Sequence, residues 1–187
     1  MKTIVQAAAL FALVIMITTT SISLVTHHTL KNELISSVSN GSEQTLNVLT
    51  IHKAYPYADS DEIIADVLQN IILSKSSKGP LTVNIYSKDD LANGILEIEA
   101  IEEYKGLGGT IRQASYRIRA YVYQTEQGAY VKFTDPSTET VPSESWVFSA
   151  EDIKEIKDFL ETPQGEFPSQ TRNAYFLEEF NDCLNNS

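Results

Sequence analysis

The sequence predicts an α+β protein in which a long N-terminal transmembrane and stalk helix leads into a helix packed on an antiparallel β-meander, with further helices at the C-terminus. Three observations predict it. Ile4 to Val25 contains no charged residue. Leu30, Leu34 and Val38 then continue at a spacing of four, which places them on one helical face. Between Leu81 and Gln124 the pattern changes to alternation of period two, interrupted by glycine-bearing turns.

The uncharged run, read as one helix at about 1.5 Å per residue, reaches about 33 Å, enough for a hydrocarbon core of about 30 Å. Its apolar face is Leu10, Phe11, Leu13, Val14 and Ile17, the expected membrane anchor. Thr18, Thr19 and Thr20 weaken the run, but hydroxyls that bond back to carbonyls of the preceding turn are tolerated inside a bilayer. Lys2 is the only charge before the run, which favours a cytoplasmic N-terminus and a body on the other side. A cleaved secretory signal ending in small residues such as Ser21 and Ser23 is the competing reading. Against it, no A-x-A site is visible and the helical pattern passes smoothly into Leu30, Leu34, Val38 and neighbouring Ile35.

The expected organisation is an anchor at 1–25, an amphipathic stalk at 26–54, an α+β core at 55–124 and a C-terminal extension with helices at 125–187. Asn40-Gly41-Ser42 predicts a break in the stalk. The next helix opens at Asp59, with Glu62 three positions on, and carries Ile63, Ile64, Val67, Leu68, Ile71 and Ile72 as a stripe facing a sheet. Leu81, Val83 and Ile85 alternate as the first strand, and Asn93-Gly94 supplies a two-residue turn signal. In the second strand Leu96, Ile98 and Ala100 share one face and Glu97 and Glu99 the other; KGLGG turns the chain into a third strand, where Arg117 and Arg119 stand opposite those glutamates. They are expected to form cross-strand ion pairs on a solvated face. Catalysis by the paired carboxylates is disfavoured, because the arginines occupy the substrate's place.

After Thr125, AYVKF predicts a fourth strand, DPSTETVPSES a polar loop and WVF a short buried segment. Ser149 and Asp152 form a capping pattern for a helix through Leu160. A last helix is expected around Tyr175, Phe176, Leu177, Phe180 and Leu184, followed by a frayed tail. Tyr121, Tyr123, Tyr130, Phe133 and Trp146 are read as core in preference to an aromatic contact surface.

The net charge of −11 argues against nucleic acid, which requires a basic patch. The single cysteine, Cys183, excludes an intrachain disulfide and a thiolate cluster. His27 and His28 follow the apolar run, where they read as polar interface caps, and adjacent helical positions do not face one point. DSDE lacks the loop of a calcium site, Gly106, Gly108 and Gly109 join strands without opening a phosphate-binding helix, and no G-x-S-x-G is present. No cofactor, metal or catalytic residue is assigned.

The order of parts, an apolar helix running into an amphipathic stalk, a helix and an antiparallel meander, resembles type IV pilins and pseudopilins. EIIADVLQNIILS, VNIYSKDDLANGILEIEAIEEYKG and SYRIRAYV resemble a family of single-pass membrane proteins of Gram-positive bacteria associated with Tad-type pilus or secretion systems. The resemblance covers residues 1–124. It implies a non-enzymatic, extracytoplasmic minor pilin-like component that meets other subunits through its N-terminal helix. A solvated helix needs the stripe Leu30, Leu34 and Val38 only if it packs on its own domain or on neighbouring subunits, and partner subunits are the expected use. Unlike pilins, the chain has no acid between positions 4 and 25 and only MKT before them. A secreted binding or inhibitory domain is the alternative; a membrane-tethered hydrolase lacks a nucleophile and base.

Overall fold

The computed structural model describes residues 2–52, 60–86, 88–125 and 128–161. The expected cap Asp59 and the expected helix from Tyr175 to Leu184 lie outside the described residues.

Helix α1, Lys2–His52, is continuous over 51 residues, about 77 Å at 1.5 Å per residue. The break expected at residues 40–42 is absent. Gly41 is buried, and a Cβ there would stand 2.9 Å from Ile71 Cγ1 and 3.3 Å from Ile71 N. The glycine permits close approach of α2, Ser60–Ser74, and does not punctuate the helix. Asn70 of α2 donates to Thr45 Oγ1 of α1 at 3.1 Å, fixing the crossing. Helix α3, Ala150–Glu161, begins at a reciprocal cap: Ser149 N donates to Asp152 Oδ2 at 2.7 Å, and Asp152 N to Ser149 Oγ at 3.1 Å.

One antiparallel sheet contains β1 (Leu81–Tyr86), β2 (Ile95–Lys105), β3 (Ile111–Thr125), β4 (Gly128–Thr134) and β5 (Glu144–Phe148), in the spatial order β4-β3-β2-β1-β5. The first four strands form a meander; β5 joins the far edge, beside β1. The expected boundary at 125 thus falls between β3 and β4, and residues beyond it supply both edges of the sheet. Asn93-Gly94 does not close a two-residue hairpin. A 3-10 turn at Lys88–Asn93 precedes Gly94, which takes φ 74° and donates to Leu91 O at 2.9 Å.

The inner face carries Leu81, Val83, Ile85, Leu96, Ile98, Ala100, Ala114, Ile118, Ala120, Trp146 and Phe148, in one core with Leu34, Val38 and Leu46 of α1, the stripe of α2, and Ile153 of α3. Tyr123 and Tyr130 are half exposed, while Phe133 packs against the core and Trp146 is inside it. Strand parity divides the aromatics that composition alone grouped. Parity also separates buried Trp146 and Phe148 from exposed Val147.

The register pairs Glu97 with Arg119 and Glu99 with Arg117, as expected, but this face is not solvated at Glu97, which is 0% exposed. To pass from β4 to β5, residues 135–143 cross the outer face. Ser137 N donates to Glu97 Oε1 at 2.9 Å, Arg117 donates to Glu139 O at 2.8 Å, and Ser143 N donates to Ile85 O at 2.8 Å.

Candidate functional site: the anchor helix and its seat

The first half of α1 presents Leu10, Phe11, Leu13, Val14 and Ile17, each more than half exposed, with Phe11 at 70%. Water disfavours an apolar surface of this extent. α1 contains the one helix segment among the described residues long and apolar enough to cross a membrane, and its most apolar window is unburied. Its polar interruptions are satisfied within the helix. Thr18 donates to Val14 O at 2.8 Å, Thr20 to Met16 O at 2.7 Å, and Thr26 to Ile22 O at 2.9 Å.

The second half of α1 is the spine of the folded body. Leu34 and Val38 are 0% exposed, and Leu30 packs partly against the same core. This corrects the expected use of the stripe: the chain's own sheet and α2 fill the positions reserved for partner subunits. Sequence periodicity identified a packing face without identifying what occupies it.

An ionic latch joins this spine to the sheet. Buried Lys75 Nζ donates to Glu102 Oε1 at 2.9 Å, Ser77 O at 3.0 Å and Gly79 O at 3.1 Å, which satisfies all three ammonium protons. Burial pushes the Lys75 pKa down, opposed by the hydrogen bond and charge of Glu102. Glu33 of α1 accepts from Ser77 N at 2.6 Å and from Ser76 N, and Lys157 of α3 donates to Lys75 O. Removing one partner of such a pair strands a buried charge, which typically costs about 3–5 kcal/mol. Sequence inspection missed the latch because Lys75 and Glu102 resemble ordinary surface charges until α2 and β2 meet.

A second polar network occupies the outer face. Glu97 Oε1 meets Arg117 Nη2 at 2.6 Å, and Arg119 Nε lies 3.8 Å from Oε2. The Arg117 guanidinium lies 3.4 Å from the Tyr86 ring centroid. Glu99 Oε2 accepts from Tyr86 OH at 2.7 Å and Asn84 Nδ2 at 3.0 Å. Burial, reinforced by this carboxylate, pushes the Tyr86 pKa above 10.0.

Nearer the anchor, His27 Nδ1 lies 2.9 Å from Tyr104 OH, and Arg112 donates to Ser23 Oγ at 2.6 Å. The end of the β2–β3 hairpin is therefore pinned to α1. Among the described residues, no group of three or more His, Cys, Asp or Glu comes together to hold a metal ion. The geometry concentrates its distinctive features along α1: an exposed apolar half, a junction beneath the hairpin, and a buried half locked to the sheet. Comparison with known proteins finds no matching family model, curated protein or solved structure.

Proposed function

We propose that the chain is a non-enzymatic, single-pass membrane-anchored protein with an extracytoplasmic head, acting as a minor pilin-like component of a Tad-type pilus or secretion assembly. The observation supporting this reading is the division of one unbroken helix between two environments: α1 is exposed and apolar over residues 7–17 and forms the buried spine of an antiparallel head from Leu34 to Leu46. A rigid rod of this kind holds a folded body at a fixed distance from a bilayer and offers its free apolar half to lipid or to like helices. Because Leu34 and Val38 are occupied, assembly contacts belong to the anchor half, with Phe11 the most exposed of its named face. Lys2 supports a cytoplasmic N-terminus.

The alternative is a secreted binding or inhibitory domain released by cleavage near Ser23. It stays open because Leu34, Val38 and Leu46 all follow that point, so cleavage would leave the spine in the head. Fractionation of cells carrying a C-terminally tagged copy, followed by intact mass, separates the two. A nearly intact N-terminus in the membrane fraction, with photocrosslinks from Phe11 to other single-pass subunits, is the expected result. Loss of residues up to about Ser23, with the tag in the medium, would overturn the anchored reading and leave the secreted domain.

A further inference from the structure

We infer that the tip of the β2–β3 hairpin is a second membrane contact, in which Arg112, His27 and His28 engage a phospholipid phosphate and Ile111 enters the headgroup layer beside the anchor. The inference rests on the membrane-anchor reading of α1 and adds to it a lipid site on the folded body.

The first argument is position. Ser23 belongs to the uncharged run that ends at Val25, so a bilayer spanned by that run has its boundary near Ser23. Arg112 reaches Ser23 at 2.6 Å, and one turn farther along α1 His27 meets Tyr104, the strand partner of Arg112. A strand residue advances about 3.3 Å and a helix residue about 1.5 Å. Two residues back along β2 from Tyr104, Glu102 accepts from Ser77 Oγ at 2.9 Å, and Ser77 N donates at 2.6 Å to Glu33, six residues beyond His27 on α1. The hairpin therefore descends α1 toward its N-terminal half, and the turn beyond Tyr104 and Arg112 continues toward the membrane end.

The second argument is chemistry. Arg112, His27 and His28 line an open cleft of about 400 Å³ together with Thr19, Thr20, Ser23 and Leu24. A guanidinium, two imidazoles and the Ser23 hydroxyl above an apolar wall suit the ester phosphate of a lipid whose acyl chains run along the exposed face of α1. The segment from Tyr104 to Gln113 contains Lys105 and Arg112 but no acid, although the chain carries −11 overall. Glu103, the nearest acid on the strand, is engaged by Gln113 Nε2 at 3.0 Å.

The third argument is the shape of the tip. Ile111 is 69% exposed, an apolar side chain that the core leaves out at the boundary level. Gly108 and Gly109 take φ 81° and 77°, with no neighbour within 4 Å of a Cβ placed there. A left-handed, unobstructed turn makes a narrow tip that can enter headgroups without displacing the rest of the head.

The test uses the full chain in phosphatidylcholine vesicles with and without phosphatidylglycerol. In a Cys183→Ser background, an environment-sensitive fluorophore is placed at Thr110→Cys or, as the control at the other end of β2, at Asn93→Cys. Quenching by a headgroup-labelled lipid at 110 but not at 93 is expected. Arg112→Gln is expected to lower the docked-to-undocked ratio about fivefold in anionic vesicles, the worth of one basic side chain near such a surface, and Ile111→Asn to lower it in both lipids. Equal quenching at 110 and 93, in chains that float with vesicles and resist alkaline extraction, would overturn the tip contact and leave the anchor standing. Docking unaffected by either substitution would overturn the assigned contacts. Chains stripped from the vesicles by alkali would overturn the anchor reading, and this inference with it.

Discussion

Glu97 and Glu99 occupy equivalent places in an alternating strand, yet Glu97 is sealed beneath the 135–143 crossing and Glu99 serves as acceptor for Tyr86 and Asn84. The Tyr86 contact has a pH signature. Its folded pKa lies above the unfolded value of 10.0, so the folded state retains the phenolic proton after the unfolded state has begun to lose it. The resulting stability is fully present below pH 10 and declines as pH rises through the folded pKa. Tyr86→Phe is expected to cost about 1 kcal/mol at pH 8, the usual worth of one such hydrogen bond, and to flatten this alkaline decline. Urea unfolding of both proteins at neutral and strongly alkaline pH measures the difference. The register of the glutamates against Arg117 and Arg119 was legible in the sequence because strand alternation and one turn determine it. Their burial was not, because the cover comes from residues 135–143, whose path depends on where β5 docks.

Among the elements, α1 was the most legible in type and the least in its details. Its apolar run and following stripe follow from composition and spacing, whereas Gly41 invited a break because local propensity disfavours glycine within a helix by about 1 kcal/mol. Tertiary approach decides otherwise: Ile71 stands where a larger side chain would go. Gly41→Val is therefore expected to destabilise the protein by about 1–3 kcal/mol through overpacking between α1 and α2, despite removing a poor helix former. Chemical denaturation would read the loss, and a stability equal to or above the parent's would contradict the close-approach account. The β1–β2 connection teaches the same point at shorter range. Asn93-Gly94 marked a reversal correctly but could not reveal that the 3-10 turn at Lys88–Asn93 precedes it.

At the scale of the whole molecule, the fold is a rod with its mass at one end. No described side chain between Gln6 and Val25 is buried, whereas Leu34, Val38 and Leu46 are inaccessible. Removing residues 1–25 is therefore expected to leave the head folded, with stability within about 1 kcal/mol of the parent, as is usual for changes outside the core. Removing residues 1–40 deletes Leu34 and Val38, and with buried leucines typically worth about 2–5 kcal/mol each when cut to alanine, a total stability of about 5–15 kcal/mol would be largely consumed. Thermal unfolding followed by circular dichroism would show a cooperative transition in the first case and none in the second. The strand order has a further bearing on the order of synthesis. β5 flanks β1 but is made 58 residues after β1 ends at Tyr86 and begins only at Glu144. A growing chain that has completed the meander still carries an open β1 edge and an uncovered Glu97. The interval between Tyr86 and Phe148 is thus when a nascent copy is most open to wrong strand pairing, and β5 closes it.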